Sequence, residues 1–333
     1  MADVKAIDVH AHILTEETMG ILRREVPQYR LELRDVEGDF GTLDMGSQSY
    51  PMFPRGGWDL ERRFRDMEKA GFDLQVLSVL PQTVAYEEEP AIALALSQIQ
   101  NEQIASLVRQ HPDRFLGLGT LPLQSPEESV RELRRCMGEL GLRGVMIGSN
   151  VRGRNFDDPA LEPVWAAAAE LDAFIFIHPT MTAAGDRLKD YYLRNFIGNP
   201  LDTTIAAATL VFAGVLERHP TLKFYLSHGG GFIPYQMHRF IHGWGERAEA
   251  KKTLKVSPEA SFGRLLFDTI LHGRNPLEFL IGAAGAERVL LGSDYPYDMG
   301  QYDSVDLIGT LSIPDEEKSK VLSGNARRLL KIG

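Results

Sequence analysis

The sequence predicts an α/β protein built from repeated strand–helix units, and three observations support this fold class. Short apolar runs typical of strands alternate with longer segments of helical periodicity along the 333 residues. This alternation occurs eight times, which is the number of units in a (β/α)8 TIM barrel. An open, doubly wound sheet is the alternative, but the glycine-rich turn expected after its first strand is missing.

The eight predicted strands are short and bounded by turn or helix signals. They span residues 6–10, 75–80, 115–121, 144–147, 174–178, 223–227, 264–267 and 289–292. Two of the helices between them have clear start and stop signals. Asp59 and Gly71 flank a helix at 60–70, and Ser125-Pro126 opens a helix at 126–140 that Gly141 ends.

Two connections are longer than usual for such a fold. The first, about residues 14–58, is predicted to be an insertion after strand 1, and its 30–44 part resembles a small hairpin. It is either a substrate lid or an arm for packing and oligomerisation. The second follows strand 5. Without repeats or linkers, residues 1–333 are expected to form a single domain.

Composition excludes several classes of function. Hydrophobic residues make up 44% and charged residues 25%, as in a soluble globular enzyme. The net charge of −10 argues against nucleic acid or an anionic membrane as a partner. The first residues lack a signal-peptide pattern, no apolar run reaches 18 residues, and Cys136 is the single cysteine, so we expect a cytoplasmic protein without an internal disulfide.

The first strand ends in the segment Asp8-Val9-His10-Ala11-His12. Residues two apart in a strand point to the same side and are separated by about 6.5 Å, so both imidazoles could bind one metal ion. Three more metal-binding side chains follow later strands, namely His178, His228 and Asp294. Because active-site groups of a barrel come from the carboxyl ends of its strands, all five are expected at one site.

Histidine nitrogens with one carboxylate suit zinc, and manganese, iron or cobalt are possible. His10, His12, His178 and Asp294 supply up to four ligands, which leaves His228 as an acid or base. The residues alone do not decide which of His178 and His228 binds the metal.

This pattern of histidines and aspartate resembles the amidohydrolase superfamily over nearly the whole chain. Within it, the sequence is most similar to the family of aminocarboxymuconate-semialdehyde decarboxylase and related metal-dependent decarboxylases. The motifs that carry the resemblance are Trp58-Asp59, Gly117-Leu118-Gly119-Thr120-Leu121-Pro122, Ser227-His228-Gly229-Gly230-Gly231, Leu291-Gly292-Ser293-Asp294-Tyr295-Pro296 and Gly324-Asn325-Ala326.

The resemblance implies one divalent metal ion, usually zinc, bound by His10, His12, His178 and Asp294. It places His228 beside the metal as the catalytic acid or base, with Asp294 assisting proton transfer. Two-metal relatives use a lysine or glutamate at the end of strand 4, and the segment 144–150 contains neither. One metal is therefore expected.

The substrate contacts depart from the family pattern. Arg239 matches an arginine that the family donates across a homodimer interface, which implies a homodimer or higher oligomer. A second family arginine aligns with Pro51, so Arg55 is the possible substitute. Further candidate substrate-binding residues are Tyr191, Trp58, Phe232 and Tyr297.

The predicted function is a metal-dependent non-oxidative decarboxylase, a carboxy-lyase, of a small aromatic or unsaturated carboxylic acid. The alternative is an amidohydrolase-type hydrolase or hydratase that uses a metal-bound hydroxide as nucleophile. A barrel that binds a ligand without converting it is a third hypothesis, and the complete set of candidate ligands together with His228 argues against it.

Overall fold

The computed structural model describes residues 4–332 except 47, 181 and 184. The expected domain ends, residues 1 and 333, and residue 47 of the expected lid lie outside the described residues. Eight parallel strands follow the predicted order. They are β1 Ile7–Ile13, β5 Leu74–Val79, β6 Phe115–Gly117, β7 Gly144–Gly148, β8 Phe174–His178, β9 Lys223–Leu226, β10 Leu266–Asp268 and β11 Val289–Leu290.

These strands pair in two parallel groups, β1-β5-β6 and β11-β10-β9-β8-β7. Isolated parallel bridges link the edges of the groups, between Gly119 and Val145 and between Ala11 and Tyr295. The amide of Val9 also donates to the carbonyl oxygen of Leu291 at 2.9 Å. The strands therefore present their carboxyl ends at one side of the molecule.

Helices occupy most of the connections between strands. They are α1 Glu16–Glu25, α2 Leu60–Ala70, α3 Pro90–Gln110, α4 Pro126–Gly138, α5 Glu162–Glu170, α6 Asn199–Phe212, α7 Val215–Arg218, α8 Ile233–Glu246, α9 Glu259–Phe262, α10 Arg274–Ala284, α11 Ser304–Gly309, α12 Asp315–Ser319 and α13 Asn325–Leu330. None of the helices in the described ranges is both long and apolar enough to cross a membrane.

Local sequence signals explain where α2 starts and stops. The Asp59 side chain accepts a hydrogen bond from the amide of Arg62, and Gly71 ends the helix in the left-handed conformation with φ of 75°. The predicted helix at 126–140 is shorter in the structure, because α4 ends at Gly138. The predicted strand at 115–121 is also shorter: β6 ends at Gly117, and beyond it only Gly119 makes an isolated bridge.

Between β1 and α2 lie α1 and a three-stranded antiparallel sheet. Its strands are β2 Glu32–Glu37, β3 Phe40–Met45 and β4 Gln48–Pro54, in the order β2-β3-β4. Leu33 pairs with Leu43, which agrees with the predicted hairpin at 30–44. This sheet has its own small apolar core, which contains Leu14, Phe53 and Trp58.

The main core lies between the parallel strands and their helices. Strands β5, β7 and β8 are buried along their whole length, as expected for parallel strands that are covered on both faces. A frame of this kind holds the residues at the strand ends in fixed positions.

Candidate active site

Four candidate ligands meet at the carboxyl ends of three strand regions. His10 and His12 lie on β1, His178 is the last residue of β8, and Asp294 follows β11. All four residues are buried. One possible ligand atom from each lies within 4.8 Å of those of the other three, so the cluster can hold a single cation.

Hydrogen bonds donated by Nδ1 fix the tautomer of each histidine in the cluster. The Nδ1 of His10 lies 2.8 Å from Oδ2 of Asp268, and that of His12 lies 2.8 Å from the carbonyl oxygen of Val79. The Nδ1 of His178 lies 2.9 Å from the carbonyl oxygen of Pro179. Because these oxygens only accept hydrogen bonds, each ring donates from Nδ1 and keeps its Nε2 lone pair for a metal.

The Nε2 atoms converge on one oxygen of Asp294. Its Oδ1 lies 3.2 Å from Nε2 of His10, 3.3 Å from that of His12 and 3.8 Å from that of His178. Ligand atoms around a tetrahedral zinc are about 3.3 Å apart, given metal–nitrogen bonds of about 2.0 Å. The spacing therefore fits a small divalent ion.

Unpaired polar atoms provide a second test of the metal site. Nε2 of His178 and Oδ1 of Asp294 are buried and make no hydrogen bond within the described residues. The Nε2 atoms of His10 and His12 are only 3.1 Å apart, and both carry lone pairs in the tautomers described above. A cation between these atoms would satisfy all of them, so the residues fit a bound divalent metal.

Burial and charge shift the pKa values of the cluster in opposite directions. Burial lowers the pKa of His10, but the Asp294 and Asp268 carboxylates outweigh it and raise that pKa to about 9. Burial lowers the pKa of His12 and holds that of His178 well below its usual value. Burial would raise the pKa of Asp294, but the charge of His10 and the closeness of the other histidine rings hold it well below its usual range. The two carboxylates therefore favour positive charge at this point, which a bound cation would supply.

His228 lies beside the cluster rather than within it. Its Nε2 is 3.3 Å from Oδ2 of Asp294, the carboxylate oxygen that does not face the other three histidines. Its Nδ1 has no hydrogen-bond partner in the part of the chain that is described. The side chain is 16% exposed, and it lies next to Asp294 without itself being among the described residues that line the cavity found beside the cluster.

The turn after β9 holds His228 in an uncommon backbone conformation. His228 has φ of 54°, and Gly229, Gly230 and Gly231 also have positive φ. A Cβ on Gly231 would lie 2.1 Å from the carbonyl oxygen of Pro200, so only glycine fits there. Non-glycine residues with positive φ cost energy and cluster at functional sites.

Asp268 organises this turn and the metal cluster together. Its Oδ2 accepts from Nδ1 of His10 and, at 2.7 Å, from the amide of His228. Its Oδ1 accepts from the amides of Gly229 at 2.6 Å and Ile270 at 3.1 Å. One fully buried carboxylate therefore orients both a metal ligand and the catalytic candidate.

A buried polar network lies beneath the cluster. Asp8 accepts from Nε2 of Gln75 at 2.9 Å and from the Ser293 hydroxyl at 2.6 Å, and burial raises its pKa to about 6. Arg63, also fully buried, donates to Oε1 of Gln75 and to the carbonyl oxygen of His12. Asp8 thus supports β1 from below and does not join the four candidate ligands.

A cavity of about 420 Å³ opens above the cluster, and His178 and Asp294 form part of its wall. Tyr297 also lines it, and its hydroxyl donates to Oε1 of Gln82 at 2.5 Å. Tyr50 and Tyr192 contribute further aromatic surface. The volume and the aromatic wall suit a small planar molecule.

The structure places the other five predicted substrate residues away from this lining. Trp58 is buried against Phe53, and Arg55 forms an ion pair with Asp59 at 2.8 Å. Tyr191 and Arg239 are exposed, the latter on α8. Phe232 is 38% exposed just after the glycine turn. Of the six predicted residues, Tyr297 alone lines the cavity within the described chain.

Comparison with known proteins agrees with this geometry. A family model described as amidohydrolase matches residues 7–332. The chain is 38% identical to 2-amino-3-carboxymuconate-6-semialdehyde decarboxylase of Dictyostelium discoideum over 98% of this chain and 91% of that protein.

The chain belongs to the amidohydrolase family.

Two further relatives of this amidohydrolase are decarboxylases of aromatic acids by name. One is gamma-resorcylate decarboxylase of Rhizobium sp. strain MTP-10005, 27% identical over 82% of this chain and 87% of that protein. The other is the crystal structure of 5-carboxyvanillate decarboxylase from Sphingomonas paucimobilis, 27% identical with a TM-score of 0.83. The structural alignment covers 99% of this chain and 100% of the chain in that crystal structure. The predicted resemblance and reaction class are confirmed, and the hydrolase alternative is the weaker one.

Sequence reasoning missed several residues of the site. Asp268 carried a usable signal, because it is an acidic residue at the end of an apolar strand, like the predicted ligands. The predicted seventh strand at 264–267 ended one residue too early, whereas β10 includes Asp268. Gln82 and Arg194 line the cavity from single helical turns between the strands, which are too short to show a periodic pattern.

Proposed function

We propose that this amidohydrolase is a non-oxidative decarboxylase of a small aromatic or unsaturated carboxylic acid, dependent on one divalent metal ion. The observation that carries the proposal is the convergence of three Nε2 atoms and one carboxylate oxygen on a point beside His228. The identity of 38% to a decarboxylase over nearly the whole chain supports the reaction class.

The proposed metal ligands are His10, His12, His178 and Asp294, and the proposed ion is zinc. Three nitrogens and one carboxylate oxygen at this spacing suit zinc, while manganese, iron and cobalt accept similar ligands. When bound, the ion would anchor and polarise an oxygen of the substrate.

His228 is the proposed acid–base residue. Loss of carbon dioxide breaks a C–C bond and leaves its electron pair on the ring or alkene carbon, which must gain one proton. His228 can deliver that proton, and Oδ2 of Asp294, 3.3 Å from its Nε2, would orient the ring and stabilise its charged form. The net reaction is therefore RCO₂⁻ + H⁺ → RH + CO₂, without an oxidant.

The remaining site residues have proposed roles in substrate binding. Tyr297 lines the cavity and would pack against the planar acid. Arg239, exposed on α8, would bind a carboxylate in the site of a partner subunit, which requires a homodimer or higher oligomer. Arg55, Tyr191, Trp58 and Phe232 would contribute only after rearrangement of the segments that carry them.

The finer features of the architecture are also proposals. We propose that the eight strands close into a (β/α)8 barrel, supported by the bridges at Gly119 and Ala11. One domain would span residues 1–333, with residues 14–58 as an insertion that covers the site. A cytoplasmic location and a small-molecule carboxylic acid as the partner, rather than nucleic acid or membrane, fit the acidic composition.

The test is release of CO₂ from a panel of acids. Metal-loaded protein would be incubated with 5-carboxyvanillate, gamma-resorcylate and 2-amino-3-carboxymuconate-6-semialdehyde, with headspace CO₂ measured by mass spectrometry. We expect at least one acid to lose CO₂, and we expect the loss to require metal and His228. Hydrolysis or hydration of panel compounds without CO₂ release would contradict the proposal.

A further inference from the structure

The charge of the cavity wall is uneven. Four carboxylates line it, from Glu87, Glu88, Asp294 and Asp298. Among the described lining residues, Arg194 is the only lysine or arginine. Within a single chain, an anionic substituent placed elsewhere in the cavity would meet neutral or negative groups among the described residues, so its favourable contact there is with Arg194.

Arg194 has no competing partner among the residues that the structure describes. Its guanidinium makes no hydrogen bond or ion pair with the described residues, although it is exposed at the rim of the cavity. Arg152, near the same rim, instead donates to the carbonyl oxygens of Tyr86 and Glu88 and is thereby occupied. The donors of Arg194 are therefore free for a ligand.

The backbone before and at Arg194 is unusual. Tyr191 and Tyr192 have φ of 57° and 60°, two successive non-glycine residues in the left-handed region. A π-helical turn, Arg194–Gly198, begins two residues after Tyr192. Both features cost conformational energy and recur at functional sites, and here they place Tyr192, Arg194 and Asn195 on the cavity wall.

We propose that Arg194 determines substrate specificity by binding a second carboxylate, so that the site prefers dicarboxylic acids to monocarboxylic acids. The proposal rests on the proposed function for the acid at the metal cluster. A guanidinium presents parallel N–H donors that match a carboxylate in a bidentate arrangement, whereas lysine presents a single point charge. The second carboxylate would lie at the rim, on the side of the π-helical turn.

The experiment compares two ligands of the same shape that differ in one charge. Isophthalate has two carboxylates, and 3-carbamoylbenzoate replaces one of them with an amide. Their dissociation constants for metal-loaded protein would be measured by calorimetry, without turnover. The variants are Arg194→Gln and Arg194→Lys, and the matched control is Arg187→Gln, an exposed arginine of the same loop that does not line the cavity.

We expect the native protein to bind isophthalate at least about tenfold more tightly than 3-carbamoylbenzoate, as for a charge-assisted hydrogen bond. Arg194→Gln should reduce this ratio to below about twofold, with Arg194→Lys intermediate and Arg187→Gln unchanged.

Three results would overturn the assignment. They are a native protein without preference for isophthalate, a preference that survives in Arg194→Gln, and an equal loss of preference in Arg187→Gln. Because binding is measured without chemistry, the failure of every acid to release CO₂ would refute the proposed function and leave this comparison interpretable.

Discussion

Replacement of Asp268 by asparagine tests how the metal cluster and the catalytic turn are coupled. The Asp268 carboxylate accepts four hydrogen bonds, from His10, His228, Gly229 and Ile270, two on each oxygen. Asparagine has the same shape, but one of its two terminal atoms is a donor. In either orientation, the new amide group faces two N–H donors that it cannot satisfy.

The structure sets the expected size of the effect. Asp268 is fully buried, so water cannot replace the lost acceptor. Two unsatisfied donors at about 1–3 kcal/mol each would cost about 2–6 kcal/mol of stability. His10 could relieve its share only by moving its proton to Nε2, which removes the lone pair that binds metal. Metal affinity should therefore fall by about 10- to 100-fold, as is usual when a partner of a metal ligand is lost.

The assay combines competition with a metal-binding dye and urea denaturation. Asp73→Asn is the matched control, since Asp73 accepts two backbone amides, from Lys5 and Ala6, on a single oxygen. An asparagine there can turn its carbonyl oxygen toward both donors, so we expect little change. If Asp268→Asn kept native metal affinity and stability, the coupling through this carboxylate would be refuted.

Three further predictions concern catalysis, backbone geometry and thiol reactivity. His228→Asn should retain one metal per chain and lower the rate of CO₂ release by about 10²- to 10⁴-fold, and near-native turnover would exclude it as the acid–base residue. Gly231→Ala should lower the unfolding free energy by more than about 1 kcal/mol in urea titrations, because φ is +61° and the new Cβ meets the carbonyl oxygen of Pro200. Gly282→Ala, in α10 with open space around it, should be neutral or stabilising, and equal effects of the two changes would contradict the steric argument. Burial raises the pKa of the Cys136 thiol, so a thiol reagent at pH 8 should label it only after urea is added, and rapid labelling of native protein would contradict its burial.

Helix caps could be predicted because they depend on local sequence. The predicted helix at 60–70 matches α2, whose Asp59 cap and Gly71 stop are both visible in the sequence. The hairpin at 30–44 also matches, but its third strand, β4, was not predicted. That segment contains Pro51 and Pro54, which lack amide donors and are tolerated because β4 is an edge strand.

The distinction between His178 and His228 could not be made from the residues alone. Both follow an apolar strand, and the difference arises from long-range contacts. His178 donates Nδ1–H to the carbonyl oxygen of Pro179 and faces Oδ1 of Asp294. Nδ1 of His228 has no partner among the described residues, and its Nε2 faces Oδ2 of Asp294. The position of Arg194 on the cavity wall could not be predicted from the sequence either, because it depends on the conformation of the long connection after β8.

The requirement for one metal ion per chain is tested most directly by titrating metal into metal-free protein and measuring the release of CO₂. The acid would be the one that the substrate panel identifies, and zinc would be added in fractions of an equivalent. We expect activity to rise linearly and to stop rising at one equivalent per chain, and we expect Asp294→Ala to show no rise. A break at two equivalents, or full activity in protein shown to contain no metal, would contradict this requirement.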